Sequence, residues 1–345
     1  MSLPISPAGR FGRGAALALM AGFAGLAGAE PLSFMRALDL AVGETPALRA
    51  DAAQLDAARL AVLPAGELPD PKLALGLDNL PINGPDRYRV GDDFMTMRRV
   101  GLMQEFPNRA KRQARVAVAQ GEVAVAAAQT AITRQQVQQQ AAVAWIARHT
   151  VEQQLTRIDA LRAENRLLDA AVRARLSGGG GAAADSVAPR QEAAAIDNLQ
   201  DRLEARREQA IARLARWVGE SAREPLAGTV PDWPIDRDAL LHRLHAHPDV
   251  EVLDAKANVA QAAIAQAQAA KKSDWALALA YQQRGPQFSD MAMVELSFDL
   301  PLFTARRQDP TIAARRAQRA APDAQREATL RERAAELDAE LAEYR

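Results

Sequence analysis

The 345-residue chain contains no cysteine. Disulfides, thiolate metal sites and cysteine nucleophiles are therefore excluded, and so is a lipidated N-terminal cysteine. Aromatic residues make up only 4% of the chain, fewer than a conventional globular core uses. Neither charge is in surplus: 43 Lys and Arg face 43 Asp and Glu. No basic excess therefore points to nucleic acid. Beyond the N-terminus no run of about 18 apolar residues occurs, so a membrane role falls to strands of a closed barrel, not to helices. No Gly-x-Ser-x-Gly elbow and no phosphate-binding glycine loop lies on a strand-to-helix turn. Catalytic residues and cofactors are accordingly not expected.

What is abundant is alanine, mixed with Glu, Gln, Arg and Leu. That mixture favours long helices packed at close distance. The N-terminus is different. Arg10 and Arg13 are the only charges before Glu30, and residues 14–29 are apolar, ending in Ala27-Gly28-Ala29. A basic start, a short apolar run and a small-residue cleavage pattern predict a signal peptide over residues 1–29. The mature chain would begin near Glu30, in an exported protein.

Residues 107–176 hold one proline, at the start, and one glycine, Gly121. Val118, Val125 and Ile132 recur at seven-residue steps, and Val151, Leu155, Ile158, Leu161, Leu168 and Val172 continue a three-and-four spacing. This predicts one long helix with a narrow coiled-coil stripe. Ser177 and four glycines end it, Asp185 or Ser186 is the expected cap of a return helix, and that helix runs to about Val218. The result is a helical hairpin, 108–176 and 185–218. Residues 219–237, with Pro225, Pro231 and Pro234, read as a non-helical connector.

Two hairpins of alternating residues interrupt the helices. Strands are expected at about 72–80 and 95–106, and again at about 275–283 and 291–300. One face of each is bulky and apolar, the other small or acidic. The two halves, 30–218 and 238–345, share the order helix, strand, strand, long helix. Pro107 and Pro301 follow matching pairs, Glu105-Phe106 and Asp299-Leu300. Four strands per chain do not close a barrel, whereas three chains supply about twelve, enough to surround an aqueous channel. Closure is required because an open edge in lipid is not tolerated.

These features together resemble the TolC family of outer-membrane factors. The resemblance is carried by the duplicated layout, by Pro-Asp-Pro-Lys-Leu at 69–73, by Gly-Leu-Met-Gln-Glu-Phe-Pro at 101–107, and by the hairpin tip at 175–187. The segment 93–101, Asp-Phe-Met-Thr-Met-Arg-Arg-Val-Gly, looks most like the CzcC-like branch that serves heavy-metal cation efflux. The resemblance implies a mainly α fold with a small β part: long helical hairpins plus four strands, one protomer of a trimeric α/β barrel. It implies a duct in the outer membrane with a periplasmic helical extension. Its partners would be a periplasmic adaptor and an inner-membrane pump of the RND type. The adaptor-facing tip maps onto Arg175, Leu176, Ser177, Gly178, Gly179 and Asp185. The family layout also has a second tip and return helix, which the chain ending at Arg345 does not reach.

Glu105, Glu295 and Asp299 alternate onto the small-residue face of the strands and are the expected lumen-lining carboxylates. His242 and His245 are three apart and could share a helix face. A solvated helix end beside the connector is the favoured reading of them, and no metal ligand is assigned. The cluster Arg109, Lys111, Arg112 and Arg115 reads as a solvated helix face. Two further readings remain open from sequence: a duct for drugs or for type I secretion, and a soluble periplasmic coiled-coil scaffold.

Overall fold

The computed structural model describes residues 31–344. The expected signal peptide lies outside them. The chain is mainly helical with a small β part. β1 (Leu32–Ser33) leads into α1 (Phe34–Glu44), whose N-terminus is capped by the Ser33 hydroxyl accepting from the Arg36 amide. α2 (Pro46–Gly66) opens on proline, where a missing N–H costs nothing. β2 (Lys72–Asp78) and β3 (Met97–Phe106) form the first hairpin. After Pro107, the Asn108 side chain accepts from the Ala110 amide at 2.9 Å and starts α3 (Arg109–Thr156). α4 (Ile158–Ser177) continues it, and α5 (Val187–Val218) returns. β4 (Leu226–Ala227), α6 (Arg237–Arg243) and α7 (Pro248–Ala269) follow. The second hairpin is β5 (Trp275–Gln283) and β6 (Met291–Phe298), and α8 (Gln308–Tyr344) completes the described chain.

Several boundaries differ from the sequence reading, each for a local reason. β2 stops at Asp78 because Asn79 takes a left-handed conformation, φ 57°, which Asn tolerates better than most residues. β3 starts at Met97 because the Asp93 carboxylate accepts from the Met95 amide and the Thr96 hydroxyl, tying both out of the ladder. β6 stops at Phe298, three residues before Pro301. The long helix is not unbroken. At Thr156 the hydroxyl donates to Gln153 O, and the Arg157 amide reaches Gln154 O at 3.2 Å. One turn tightens there, as a back-bonding Thr invites. Ser186 occupies the N-cap position of α5, but its side chain makes no capping bond there. A short 3₁₀ turn, Ala183–Ser186, comes first, Ser186 donates to Ala183 O, and Asp185 instead accepts from the Ala182 amide at 3.2 Å. The connector is not wholly irregular either. It contains a 3₁₀ turn, Gly219–Arg223, and β4, which pairs in parallel with β1.

With its one tightened turn at Arg157, the helical stretch Arg109–Ser177 spans 69 residues, a rod on the order of 100 Å. One window in it has a mean hydropathy of 1.2, long and apolar enough to cross a membrane by length and composition alone. No such window was expected from the sequence, because its hydropathy comes largely from alanine. α3 packs along α2, α5 and α7, and α8 packs along α7. Gly121 permits the close approach of α3 and α7: a Cβ there would lie 2.7 Å from Val259 Cγ2.

The main apolar core sits midway along the molecule, where α1, α3, α5 and the connector meet. Leu32, Phe34, Val137, Trp145, Leu214 and Val218 are buried there. Trp145 Nε1 donates to Leu32 O at 3.1 Å, and Phe34 meets the Trp145 ring edge-on at 5.4 Å. A charged residue lies in the same place. Arg148, 1% exposed, donates to Ala222 O at 2.5 Å, to Glu224 O at 2.9 Å and to Glu152 at 2.8 Å. It supplies partners to the carbonyls that end the 3₁₀ turn, groups that would otherwise be buried unpaired.

The four long strands form one antiparallel sheet in the order β2-β3-β5-β6. All four helix junctions lie at one end of this sheet, and both hairpin loops lie at the other. Among the described residues, the outer edges of β2 and β6 pair with no strand.

Candidate functional site

The sheet has two unlike faces, fixed by strand alternation and register. On one face stand Leu73, Leu75, Leu77, Val100, Leu102, Leu277, Leu279, Val294 and Leu296. In a sheet of a water-soluble protein this face would be the core. Here it is bare: Leu75 is 71% exposed and Val294 72%. At the helix end of the same face, Phe106, Trp275 and Phe298 are register partners in one row, and Phe106 stacks on Trp275 at 4.0 Å. Tyr281 stands at the loop end. The opposite face carries Ala74, Gly76, Gly101, Ala276, Ala278 and Ala280, with charges among them. Gly101 is needed where it stands, since a Cβ would press on Ala280 Cβ at 3.1 Å and Leu279 O at 3.3 Å.

Glu105, Glu295 and Asp299 all stand on this small-residue face, at its helix end. Glu105 is opposite Ala276, in one row with Ser297, and Glu295 is opposite Ala278. Asp299 lies just past β6, where its amide donates to Asp274 O at 2.9 Å. Sequence reasoning missed the cation beside Glu105 and a second ion pair on this face. Lys72 Nζ lies 2.5 Å from Glu105 Oε1, and Arg99 Nε lies 3.2 Å from Asp78 Oδ2. The signal was present, because Lys72 and Asp78 alternate in phase with Ala74 and Gly76.

Below the sheet, Asp274 joins the halves of the chain. Its carboxylate accepts from the Asn108 amide at 2.7 Å and from Lys111 Nζ at 2.8 Å. Partial burial alone raises the carboxyl's pKa. The hydrogen bonds from Lys111 and Asn108, with the charge of Arg115, outweigh this and hold it below the usual carboxylate value. One member of the basic cluster, Lys111, is therefore not a freely solvated charge.

The six tip residues come together at the turn between α4 and α5. Arg175 Nε donates to Gly180 O at 2.8 Å, and its Nη2 lies 3.3 Å from Asp185 Oδ2. Ser177 donates to Ala174 O at 2.8 Å, and the Gly178 amide reaches the same carbonyl at 3.1 Å. Leu176 is half-buried. Gly179 and Gly181 have φ of 78° and 141°, backbone states that glycine adopts freely. The glycine run thus folds into a closed turn clasped by Arg175 and Asp185. His242 lies on α6 and His245 on the 3₁₀ turn after it. Among the described residues no group of three or more His, Asp or Glu is placed to hold a metal ion.

Solved structures share this arrangement. The outer membrane protein VceC of Vibrio cholerae matches with a TM-score of 0.65 at 20% identity, over 87% of this chain and 75% of that one. CusC, described with transmembrane channel formation, matches with a TM-score of 0.64 at 15% identity, over 90% and 75%. The open MtrE outer membrane channel of Neisseria gonorrhoeae matches with a TM-score of 0.64 at 17% identity, over 89% and 72%. The fold is that of a TolC-like channel protomer. The chain spans about three-quarters of the length of these structures. No protein-family model matches the sequence, and no curated protein matches it.

Proposed function

We propose that this chain is a protomer of an outer-membrane channel, exported by its N-terminal signal and closed as a homotrimer. The observation that carries the reading is the bare apolar sheet face. Water penalises such a face by roughly 25 cal/mol per Å² of apolar surface, whereas lipid does not. Strands of seven to ten residues suit a tilted barrel strand. The row Phe106, Trp275 and Phe298 suits the lipid–water boundary at the helix end. Both unpaired sheet edges then find partners in neighbouring copies, and the small-residue face with Glu105, Glu295 and Asp299 lines the lumen.

The α4–α5 tip is the surface for a periplasmic adaptor, and an inner-membrane RND-type pump drives transport. The cargo is heavy-metal cations, on the resemblance of residues 93–101 to the CzcC-like branch. A duct of this kind needs no catalytic residue of its own.

The test is the oligomeric state of the protein from an outer-membrane fraction. A species that resists carbonate extraction and has three subunits in detergent supports the reading. A carbonate-extractable monomer overturns it and leaves the soluble scaffold. Cargo is tested separately, by deletion of the gene: lowered tolerance to divalent heavy metals supports metal efflux. Unchanged metal tolerance with lowered drug tolerance, or with lost protein secretion, replaces it.

A further inference from the structure

The apolar face of the sheet ends on a charge. We infer that Arg98, with Gln283 beside it, binds the phosphate of an anionic lipid headgroup in the leaflet at the loop end of the sheet. The inference rests on the outer-membrane channel reading and names a lipid for one place on its wall.

Register fixes the face and the height. Arg98 pairs with Leu77 on one side and with Gln283 on the other, so all three stand in one row of the apolar face. Towards the helix end come the row Leu75, Val100 and Tyr281, then Leu73, Leu102, Leu279 and Val294, then Gln104, Leu277 and Leu296. The row Phe106, Trp275 and Phe298 closes the face. Arg98 stands about 26 Å along β3 from Phe106, at roughly 3.3 Å per residue. A strand tilt of about 40° reduces this to a height of about 20 Å, against an apolar band of about 25 Å. The aliphatic stem of an arginine adds several ångströms, so the guanidinium comes level with the headgroups beyond that band.

The charge has no other use within the chain. Arg98 and Gln283 are both exposed, and among the described residues no side-chain hydrogen bond or ion pair holds either of them. Arg99, the next residue, belongs to the other face and lies 3.2 Å from Asp78. Gln104, inside the apolar rows, donates its amide to Pro69 O at 2.8 Å. The Tyr281 hydroxyl and the Arg284 amide hold the Asp290 carboxyl below its usual value, and the charges of Arg284 and Arg98 add to this. Asp290 is therefore already engaged by two hydrogen bonds. An arginine at a lipid boundary meets phosphate, and its planar fork matches two phosphate oxygens. Cross-strand partners stand about 5 Å apart at Cβ, which brings the Gln283 amide to the same headgroup. Both residues lie on the central strands, β3 and β5, so the site is complete within one chain. Pro107 and Pro301 mark one place in the two halves, and by that match Arg98 corresponds to Ala292. The charge thus belongs to this one place and not to the repeated plan.

The test counts bound lipid by native mass. Protein purified in neutral detergent is titrated with diphosphorylated lipid A, with its dephosphorylated form, and with lipid A plus an equal concentration of inorganic phosphate. The unaltered protein should retain the phosphorylated lipid, and inorganic phosphate should not displace it. Arg98→Gln should lower retention about tenfold, as expected for losing hydrogen bonds to a charged group. Arg98→Lys keeps the charge without the fork and should fall between. Arg99→Gln removes the same charge from the other face and should retain lipid as before. Subunit number is read in the same spectra, so a misfolded Arg98→Gln is recognised, and Arg98→Lys then carries the test. Retention unchanged by Arg98→Gln overturns the inference. So does an equal loss in Arg99→Gln, which would make net charge the attraction, or equal retention of the dephosphorylated lipid. Displacement by inorganic phosphate replaces the lipid with a free anion. Any of these results on inserted trimers leaves the channel reading standing, whereas carbonate-extractable monomers overturn both.

Discussion

Arg148 shows how much a single residue can hold. Its three donors reach Ala222 O, Glu224 O and Glu152 in a nearly water-free site. Removing the guanidinium leaves two carbonyls without their partner and Glu152 with only Arg207, at 3.4 Å. Arg148→Met keeps most of the volume and should lower stability by about 2–4 kcal/mol, read as a lower denaturation midpoint. Nothing in the sequence marks this arginine. It lies among other charged and polar helix residues, and only the connector folding back onto α3 buries it. Asp274 allows a pH test. Its folded pKa is depressed by Lys111 and Asn108 against the effect of burial. Such a carboxylate contributes stability above its unfolded value, about 4, and loses that contribution as pH falls through the lower folded value. The junction between β5 and α3 should therefore weaken only in strong acid, at pH below about 4. Asp274→Asn should weaken it at neutral pH and flatten the acid dependence, as followed by amide exchange at Asn108.

Among the elements, what the sequence displays is periodicity. The strands are legible because apolar and small residues alternate on both arms of each hairpin, and Pro107 and Pro301 punctuate their exits. The break at Arg157 is not legible, because it depends on one hydroxyl choosing a carbonyl three residues back. Nor is the pairing of β3 with β5, since strands separated by nearly 170 residues carry no local mark of adjacency. Helix spacing is set at points of the same kind. Gly121 leaves no room for a Cβ beside Val259, so Gly121→Ala should push α3 from α7 and cost about 1–3 kcal/mol. The double variant with Val259→Ala should recover much of that loss, because the clash is with a Val259 methyl group. Equal losses in the single and double variants would mean that the backbones, not the side chains, are in conflict.

At the scale of the molecule, the proposed channel would set one chain against two solvents. The α1–α3–α5 core and the arginine-rich side of α8 suit water. Arg326 and Arg333 bind Asp254 and Asp249 on α7, and Arg237 binds Asp338 from the other side. The sheet does the opposite, turning its leucines outward and its small and charged residues inward. A soluble scaffold would gain from a charge on that outer face, whereas a lipid-facing wall would not. Val294→Arg and Leu75→Arg should therefore each cost about 2–4 kcal/mol at the depth of the bilayer centre and reduce the membrane-inserted, trimeric fraction. Ala278→Arg, only one strand position from that face but directed to the other side, should insert nearly normally and alter conductance instead. The comparison reads solvent on each face separately. If Val294→Arg raised the soluble yield and left the oligomeric state unchanged, the outer face would be facing water. Membrane loss confined to the two outward arginines would instead place lipid against the leucines and an aqueous lumen against Ala278.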